Sequence, residues 1–328
     1  MSIPKNIQQQ VFRFAACLAL SAGLMTSSTV LAQVGVIQMV IAFPPGGPSD
    51  QLARILSEQL GKELNQKVLV QNRPGGNGAL AAQFVTSAPP DGKTIWLTTA
   101  GAVSINPVLY PELAYDMKNF APVSLVVNNR EILVVNPKNV AADGAQFVQN
   151  AMKPKEMTNI ASSGIGSMPH MAMALLAEST KVPFTHIPHK GAAPAITDLM
   201  GGHVDGFFGD VPGVLPFIQS GKLKAIGIAA PHRHPLFPDV KTFDEMGIKG
   251  MDLNNWSAVY VSKQVPAAVV NDLNRAIRRA LENPAVKARL SATGTDPQAS
   301  SPDELAALVQ SDLAKWTRII KAFDIKPE

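Results

Sequence analysis

The strongest constraint on the fold is a repeated alternation between short apolar segments and segments with apolar residues at helical spacing. Gln38–Phe43, Lys67–Gln71 and Thr94–Thr98 have the length and composition of strands. Asp50–Leu64, between the first two, places its apolar residues three and four positions apart, as an amphipathic helix does. Strands that alternate with helices predict parallel pairing with right-handed crossovers. Because the alternation resumes over residues 159–230, we expect two α/β units.

The sequence of the C-terminal part of the chain predicts two further helices. Pro266–Asn283 carries apolar residues along one face, and Pro284 is expected to end this helix. Ser301 and Glu304 have the spacing of a capping box at the start of the next helix. We interpret both helices as structural.

The first 32 residues are interpreted as a signal peptide that is cleaved after Ala32. Lys5 and Arg13 both precede the apolar run Phe14–Met25, as the basic residues of a signal peptide do. This run is too short to span a bilayer. Cys17, the only cysteine, lies near the start of the run, whereas a lipid-anchored cysteine would follow it. The mature chain then has no cysteine and loses nothing in an oxidising compartment. We therefore expect a protein that is exported to the periplasm.

Composition and incomplete motifs exclude several functions. The net charge is +4 and only 16% of residues are charged, so the chain has no electrostatic footprint for nucleic acid or anionic lipid. Gly92-Lys93-Thr94 resembles the end of a P-loop, but Ser87 stands where that motif needs its first glycine. Pro169 similarly breaks a dinucleotide-binding fingerprint.

No nucleophile-elbow motif occurs in the sequence either. The histidine pairs at 186/189 and 232/234 have no accompanying metal ligands. We therefore expect no cofactor and no metal. A serine, a histidine and an aspartate that converge by folding stay an open alternative.

Three glycine-containing loops are the candidate binding elements. They are Phe43–Asp50, Ser162–His170 and Pro188–Pro194, and each joins the end of a strand to the start of a helix. Glycine lets main-chain N–H groups approach a ligand closely, and a helix N-terminus adds free donors and partial positive charge. Such loops suit reversible binding of a carboxylate. Because glycine loops are also common tight turns, the residues alone leave both interpretations open.

Together with shorter motifs, these loops resemble the Bug family of periplasmic solute-binding receptors, which serve tripartite tricarboxylate transporters. The resemblance covers essentially the whole mature chain. It is carried by the first loop with Ala53 and Arg54, and by residues 70–78, 90–92, 106–110, 115–123, 163–170, 188–195, 198–199 and 238–247.

The resemblance implies a type II periplasmic-binding-protein fold, in which two α/β lobes joined by two crossover strands hold the ligand between them. We place the crossovers at Asn128–Glu131 and Asn254–Ser257, where the alternation of strands and helices restarts. The expected organisation is a signal peptide over 1–32, a first lobe over 33–129 and 256–328, and a second lobe over 130–255.

Carried over residue by residue, the resemblance places one ligand carboxylate on amides and hydroxyls of both lobes. The positions are Pro45, Gly46, Gly47 and Asp50 in the first lobe, and Ser162, Ser163, Gly166, Ser167 and His170 in the second. Ser163 and Ser167 flank glycines at a helix start, so we expect their hydroxyls to donate to the carboxylate.

Side chains at loop and strand ends are expected to contact the rest of the ligand. The candidates are Phe43, Thr99, His189, Phe207, Phe208, Asp210 and Trp256. His189 departs from the family pattern, since a tyrosine or phenylalanine is common there, and Pro169 is also unusual. No arginine accompanies these residues to clamp further carboxylates. We therefore favour an aromatic carboxylate, such as a phthalate-type acid, over citrate.

The expected function is that of a monomeric receptor, not an enzyme. It captures a small-molecule carboxylate and delivers it to the membrane permease subunits of a tripartite tricarboxylate-type transporter. Two alternatives stay open: a receptor that presents its ligand to a sensor kinase, and a periplasmic enzyme on the same fold.

Overall fold

The computed structural model describes residues 35–153 and 157–327. The signal peptide predicted for residues 1–32 lies outside this part of the chain. Within it, no helix combines the length and the apolar composition that crossing a membrane requires.

Strands and helices alternate along the chain as the sequence predicts. The strands are β1 (Val36–Ile41), β2 (Lys67–Asn72), β3 (Thr94–Thr99), β4 (Phe120–Asn129), β5 (Glu131–Val135), β6 (Asn159–Ser162), β7 (Thr185–Pro188), β8 (Gly206–Asp210), β9 (Lys224–Ala229) and β10 (Asn255–Ser262). The helices are α1 (Pro48–Leu64), α2 (Ala79–Ser87), α3 (Asn106–Leu109), α4 (Gly144–Ala151), α5 (Met168–Thr180), α6 (Ala192–Gly201), α7 (Val211–Gln219), α8 (Ala267–Glu282), α9 (Pro284–Ala292) and α10 (Pro302–Ala322).

The strands form two five-stranded sheets with the same layout. The first sheet has the order β2-β1-β3-β10-β4, and the second has the order β7-β6-β8-β5-β9. The first three strands of each sheet are parallel, as predicted. The fourth strand is antiparallel to both of its neighbours. The protein therefore consists of two α/β lobes, each built on one mixed sheet.

Two adjacent crossings connect the lobes. β4 ends at Asn129 in the first sheet and β5 begins at Glu131 in the second, so Arg130 alone separates them. The chain returns through β10, whose first residue, Asn255, pairs with Asn129. Arg130 Nη1 donates to Asn254 Oδ1 at 2.7 Å, which ties the two crossings together. We propose that the lobe boundaries expected from the sequence lie at these crossings.

Helices cover both faces of the first sheet. On one face, Leu56 of α1 and Ile277 of α8 join the core formed with Ile95 and Leu97 of β3. Trp96 points to the opposite face because side chains alternate along a strand, and its ring packs 4.9 Å from that of Phe120. Each fully buried apolar side chain of this kind contributes about 1.5–3 kcal/mol.

Trp256 of β10 packs beneath the C-terminal helix, in the core of the first lobe. The Trp256 ring is fully buried, and its Nε1 donates to Asp312 Oδ2 of α10 at 2.7 Å. Asn255 and Ser257, on the other side of the alternation, face the space between the lobes. The expectation that Trp256 contacts the ligand is therefore corrected: it is a core residue of the first lobe.

Two helices differ from the sequence prediction because of proline. Pro284 ends α8 as predicted, but it also opens α9, where the Asn283 side chain accepts from the amides of Ala285 and Val286. α7 was not predicted, since it contains Pro216. Pro212 lies in the first turn, where an N–H has no partner within the helix, whereas Pro216 lies inside the helix and removes one hydrogen bond. Burial of the apolar face of α7 offsets that loss.

Candidate ligand-binding site

A cavity of about 530 Å³ lies between the two lobes. Its size is that of a site for a small organic molecule. Both lobes contribute to its wall, through the ends of β3, β4 and β8, the starts of β5 and β10, and the loops before α1, α5 and α6. The lining residues are Phe43, Pro48, Ser49, Leu52, Thr99, Gly101, Asn129, Glu131, Ser163, Gly166, Ser167, Met168, Pro169, Gly191, Ala192, Phe207, Gly209, Asp210, Asn255, Ser257 and Thr295.

The wall brings together seven of the residues expected to bind the ligand. These are Phe43, Thr99, Ser163, Gly166, Ser167, Phe207 and Asp210. The wall does not include Pro45, Gly46, Gly47, Asp50, Ser162, His170 or His189. Several of the latter instead hold the loops in place.

Four helices begin at or beside the cavity without a side-chain cap. They are α1, α5, α6 and α7, whose N-cap residues are Gly47, Ser167, Gly191 and Asp210. Of the helices that begin elsewhere, α4, α9 and α10 have an N-cap side chain that accepts from the first turn, whereas α2, α3 and α8 do not. The N–H groups at an uncapped helix start remain free to donate to an anion, and the helix dipole favours negative charge there.

Asp50 supports the first loop from beneath. Its Oδ2 accepts from the Gly46 amide at 3.0 Å and from Arg54 Nε at 2.8 Å, and its Oδ1 accepts from Asn72 Nδ2 at 3.0 Å. Hydrogen bonding from Arg54 is the main reason that the pKa of Asp50 falls to about 2. Asn72 Nδ2 also donates to Phe43 O at 3.0 Å, so the bonds of Asp50 and Asn72 fix both ends of the loop.

His170 supports the second loop in a similar way. Its Nδ1 accepts from the Gly166 amide at 3.2 Å, and its ring stacks on that of His186 at 3.6 Å. Burial, with a smaller contribution from the charge of His186, lowers the pKa of His170 to about 3. Burial, with a smaller contribution from the charge of His189, lowers the pKa of His186 to about 4. Both rings are therefore neutral at physiological pH and supply no positive charge to the site.

The serines of the second loop have different environments. The Ser167 hydroxyl donates to Gly164 O at 2.7 Å, and Ser162 is fully buried, with its Oγ 2.6 Å from His186 Nε2. Ser163 reaches the cavity wall. Of the two serines expected to donate to the ligand, Ser163 thus has the more available proton.

His189, expected at the far end of the ligand, turns into its own lobe. Its Nε2 lies 2.8 Å from Asp198 Oδ2 of α6, and its Nδ1 lies 3.1 Å from Ile187 O. The third loop contributes Gly191 and Ala192 to the wall instead. His189 itself is not among the residues of the wall, and its contact with the ligand stays a prediction.

Strand alternation also separates the two phenylalanines of β8. Phe207 belongs to the cavity wall although it is only 1% exposed, whereas Phe208 is 0% exposed, lies outside the wall and packs 5.9 Å from Phe243. With Phe43, which is 37% exposed, Phe207 provides the aromatic part of the wall. The expectation for Phe208 is corrected accordingly, because its side chain points to the opposite face of the sheet.

The crossings supply polar residues that were not assigned to the site from the sequence. Glu131, Asn129 and Asn255 line the cavity, and Asn255 Nδ2 donates to Glu131 Oε1 at 2.9 Å. Glu131 is paired with Asp210 across β5 and β8. The sequence feature that could have identified these residues is the polar run Asn128–Glu131 at the crossing, between two apolar strands.

The described residues of the wall include neither a basic side chain nor a cluster of side chains that could hold a metal ion. No lysine, arginine or histidine occurs among the described residues of the wall. Across residues 35–153 and 157–327, no group of three or more His, Cys, Asp or Glu side chains is arranged to hold a metal ion. An anion bound here would therefore rely on main-chain amides, hydroxyls and helix dipoles.

Comparison with known proteins identifies close relatives. Residues 52–325 match the model of the tripartite tricarboxylate transporter family receptor. BugT of Bordetella pertussis is 33% identical over 288 residues, which cover 87% of this chain and 88% of BugT.

Two solved structures from Rhodopseudomonas palustris share the architecture. MatC with bound malate is 32% identical, with a TM-score of 0.75 over 88% of this chain and 99% of MatC. A second protein, with adipate, is 26% identical, with a TM-score of 0.81 over 90% of this chain and 99% of that protein.

Proposed function

Since the chain belongs to the Bug family of tripartite tricarboxylate transporter receptors, we propose that it captures a small organic acid in the periplasm. It delivers this acid to the membrane permease subunits of a transporter of that type. The acid binds in the cavity between the lobes, and the protein acts as a receptor rather than an enzyme.

The observation that carries this proposal is the set of uncapped helix N-termini around the cavity. α1 comes from the first lobe and α5 and α6 come from the second, so one carboxylate draws donors from both. The wall residues Ser49 and Ser163 add hydroxyls. A seat of neutral donors holds an anion without the strong charge pairing that would oppose its release.

Receptor function is also supported by where the serine and histidine side chains lie. The Ser162–His186 distance of 2.6 Å is that of a nucleophile and its base. Ser162 is fully buried and outside the cavity wall, so a substrate in the cavity does not reach it. His170 and His189 are engaged with their own loops.

We propose an aromatic carboxylate as the ligand. Phe43, which is 37% exposed, offers apolar ring surface on the wall beside the largely buried Phe207, and the described wall has no cation to neutralise a tricarboxylate. The two R. palustris relatives hold malate and adipate, which are both aliphatic. Our preference for an aromatic ligand therefore rests on the aromatic side chains in the wall of this chain.

A thermal-shift screen tests the function. Mono-, di- and tricarboxylates, aliphatic and aromatic, are added to the mature protein at up to millimolar concentration. A true ligand at 100 times its Kd stabilises the folded state by about 2.7 kcal/mol, which raises the Tm by several degrees. Binding is then confirmed by calorimetry. If no carboxylate shifts the Tm, the receptor proposal is wrong, and if citrate binds more tightly than every aromatic acid, the aromatic proposal is wrong.

Ser163→Ala is expected to weaken binding of the acid identified in this screen by about ten- to a hundredfold. The reason is the loss of one charge-assisted hydrogen bond, worth roughly 1.5–3 kcal/mol. Ser167→Ala is the matched control, because its hydroxyl proton is already donated to Gly164 O. Calorimetry on both variants measures the effect, and equal losses would show that Ser163 has no special role.

A further inference from the structure

The far end of the cavity is formed by two carboxyl groups. Glu131 is the first residue of β5 and Asp210 is the last residue of β8, and the two are directly opposite in the antiparallel pair. Both line the cavity. This is an unusual environment for a site that receives an anion, since a second carboxylate of the ligand would meet like charge here.

One side-chain oxygen of Glu131 accepts no hydrogen bond from the described residues. Its side chain is 0% exposed, and only Oε1 has a partner, the Asn255 amide at 2.9 Å. Among the described residues, Oε2 has no hydrogen-bond partner. A buried carboxyl oxygen in this state is destabilising unless a bound molecule supplies a donor.

Among the described residues of the wall, no basic side chain donates to Glu131. Arg130 is adjacent in sequence, but its Nη1 donates to Asn254 Oδ1 at 2.7 Å and it is not part of the wall. Around the pair, β4 contributes Asn129 and β10 contributes Asn255 to the wall, and both are uncharged. The two carboxyl groups are therefore the titratable groups of the described wall.

We propose that the cavity takes an aminocarboxylate, with its carboxylate on the uncapped helix N-termini and its ammonium group between Glu131 and Asp210. This inference rests on the proposed function and narrows it to acids that carry a cationic nitrogen. An ammonium group has three N–H donors and no acceptor, so it can donate to Glu131 Oε2 and to Asp210 together. A dicarboxylate of the same length has no donor to offer at this end.

The protonation of the pair agrees with this geometry. Burial raises the pKa of Glu131, and the negative charge of Asp210 raises it further. Burial also raises the pKa of Asp210, which lies at the N-terminus of α7, where the helix dipole favours its ionised form. The pair therefore retains a proton until an ammonium group replaces it, and affinity for an aminocarboxylate rises as the pH rises towards 8.

Matched ligands test the inference by calorimetry at pH 7.5. In each pair, an aminomethyl group replaces one carboxyl group on the same skeleton: 4-aminobutanoate against succinate, 6-aminohexanoate against adipate, and 4-(aminomethyl)benzoate against terephthalate. The amino member of at least one pair is expected to bind roughly tenfold or more tightly than its partner. In Glu131→Gln and Asp210→Asn, this preference is expected to shrink to within about threefold or to reverse.

Controls separate this inference from the function on which it rests. Ser163→Ala is expected to weaken both members of a pair by the same factor, because it acts on the shared carboxylate. Folding of each variant is checked by its Tm. If no amino acid binds more tightly than its matched diacid, or if both carboxyl variants keep the preference, the inference is overturned while the receptor function stands. If no acid of any kind binds, both are overturned.

Discussion

Replacement of Gly166 by alanine is expected to reduce ligand affinity by roughly thirty- to a thousandfold. Gly166 has a φ of +72°, a conformation that is unfavourable for residues with a Cβ atom. A Cβ atom here would also overlap Cδ2 of Leu109 in the first lobe, and Leu109 is only 3% exposed. Backbone strain and overpacking together amount to about 2–4 kcal/mol. Because the ligand needs donors from both lobes, a wedge between them opposes binding.

Two variants isolate the contact with Leu109. Gly46→Ala places alanine at a comparable φ of +90°, but no atom lies within 4 Å of the added Cβ. It should therefore show the backbone effect alone. Leu109→Ala combined with Gly166→Ala removes the overlap and should recover part of the affinity. Calorimetry and thermal unfolding measure all three, and equal losses in Gly46→Ala and Gly166→Ala would contradict the wedge.

Asp50→Ala is expected to destabilise the protein by about 2–4 kcal/mol at neutral pH. The substitution removes the acceptor for Gly46, Arg54 and Asn72, and hydrogen bonds to a charged group contribute roughly 1.5–3 kcal/mol each. The expected total is smaller than their sum because the Arg54 side chain is 58% exposed and regains water. Thermal or denaturant unfolding measures the change. Arg54→Gln, which leaves two donors on Asp50, is the milder control.

The pH dependence of this effect follows from the pKa of Asp50. Folding lowers it from 3.8 to about 2, so the ionised carboxylate stabilises the folded protein fully above its ordinary pKa. This contribution is lost as the pH falls from about 4 to about 2. The difference in stability between the wild type and Asp50→Ala should therefore shrink over that interval. A difference that stays constant down to pH 2.5 would contradict the assignment.

Much of the fold could be predicted because hydrophobic periodicity and glycine loops are local signals. The strand Thr94–Thr98 and the helix Asp50–Leu64 appear within two residues of their predicted ends. Helix α7 was not predicted, because Pro212 and Pro216 are typical of a loop. In the folded protein, burial of the apolar residues around them outweighs that preference.

The site was predictable only in part, since side-chain direction depends on contacts between distant segments. His189 was expected to contact the ligand, but its ring forms a hydrogen bond with Asp198, nine residues later on α6. Trp256 and Phe208 lie on the core side of their strands, and the strand register decides this. Glu131 and Asp210 are 79 positions apart, and only the pairing of β5 with β8 brings them together.

The adjacency of the two crossings makes the second lobe a self-contained insert. The chain leaves the first lobe at Arg130 and returns at Asn254, and the hydrogen bond between these residues is 2.7 Å long. If the segment between them were removed, β4 and β10 would remain paired, with their ends close enough for a short hairpin turn. The second lobe can thus be treated as one continuous insertion. Its replacement by the corresponding lobe of a relative would alter half of the cavity wall and leave the first lobe in place.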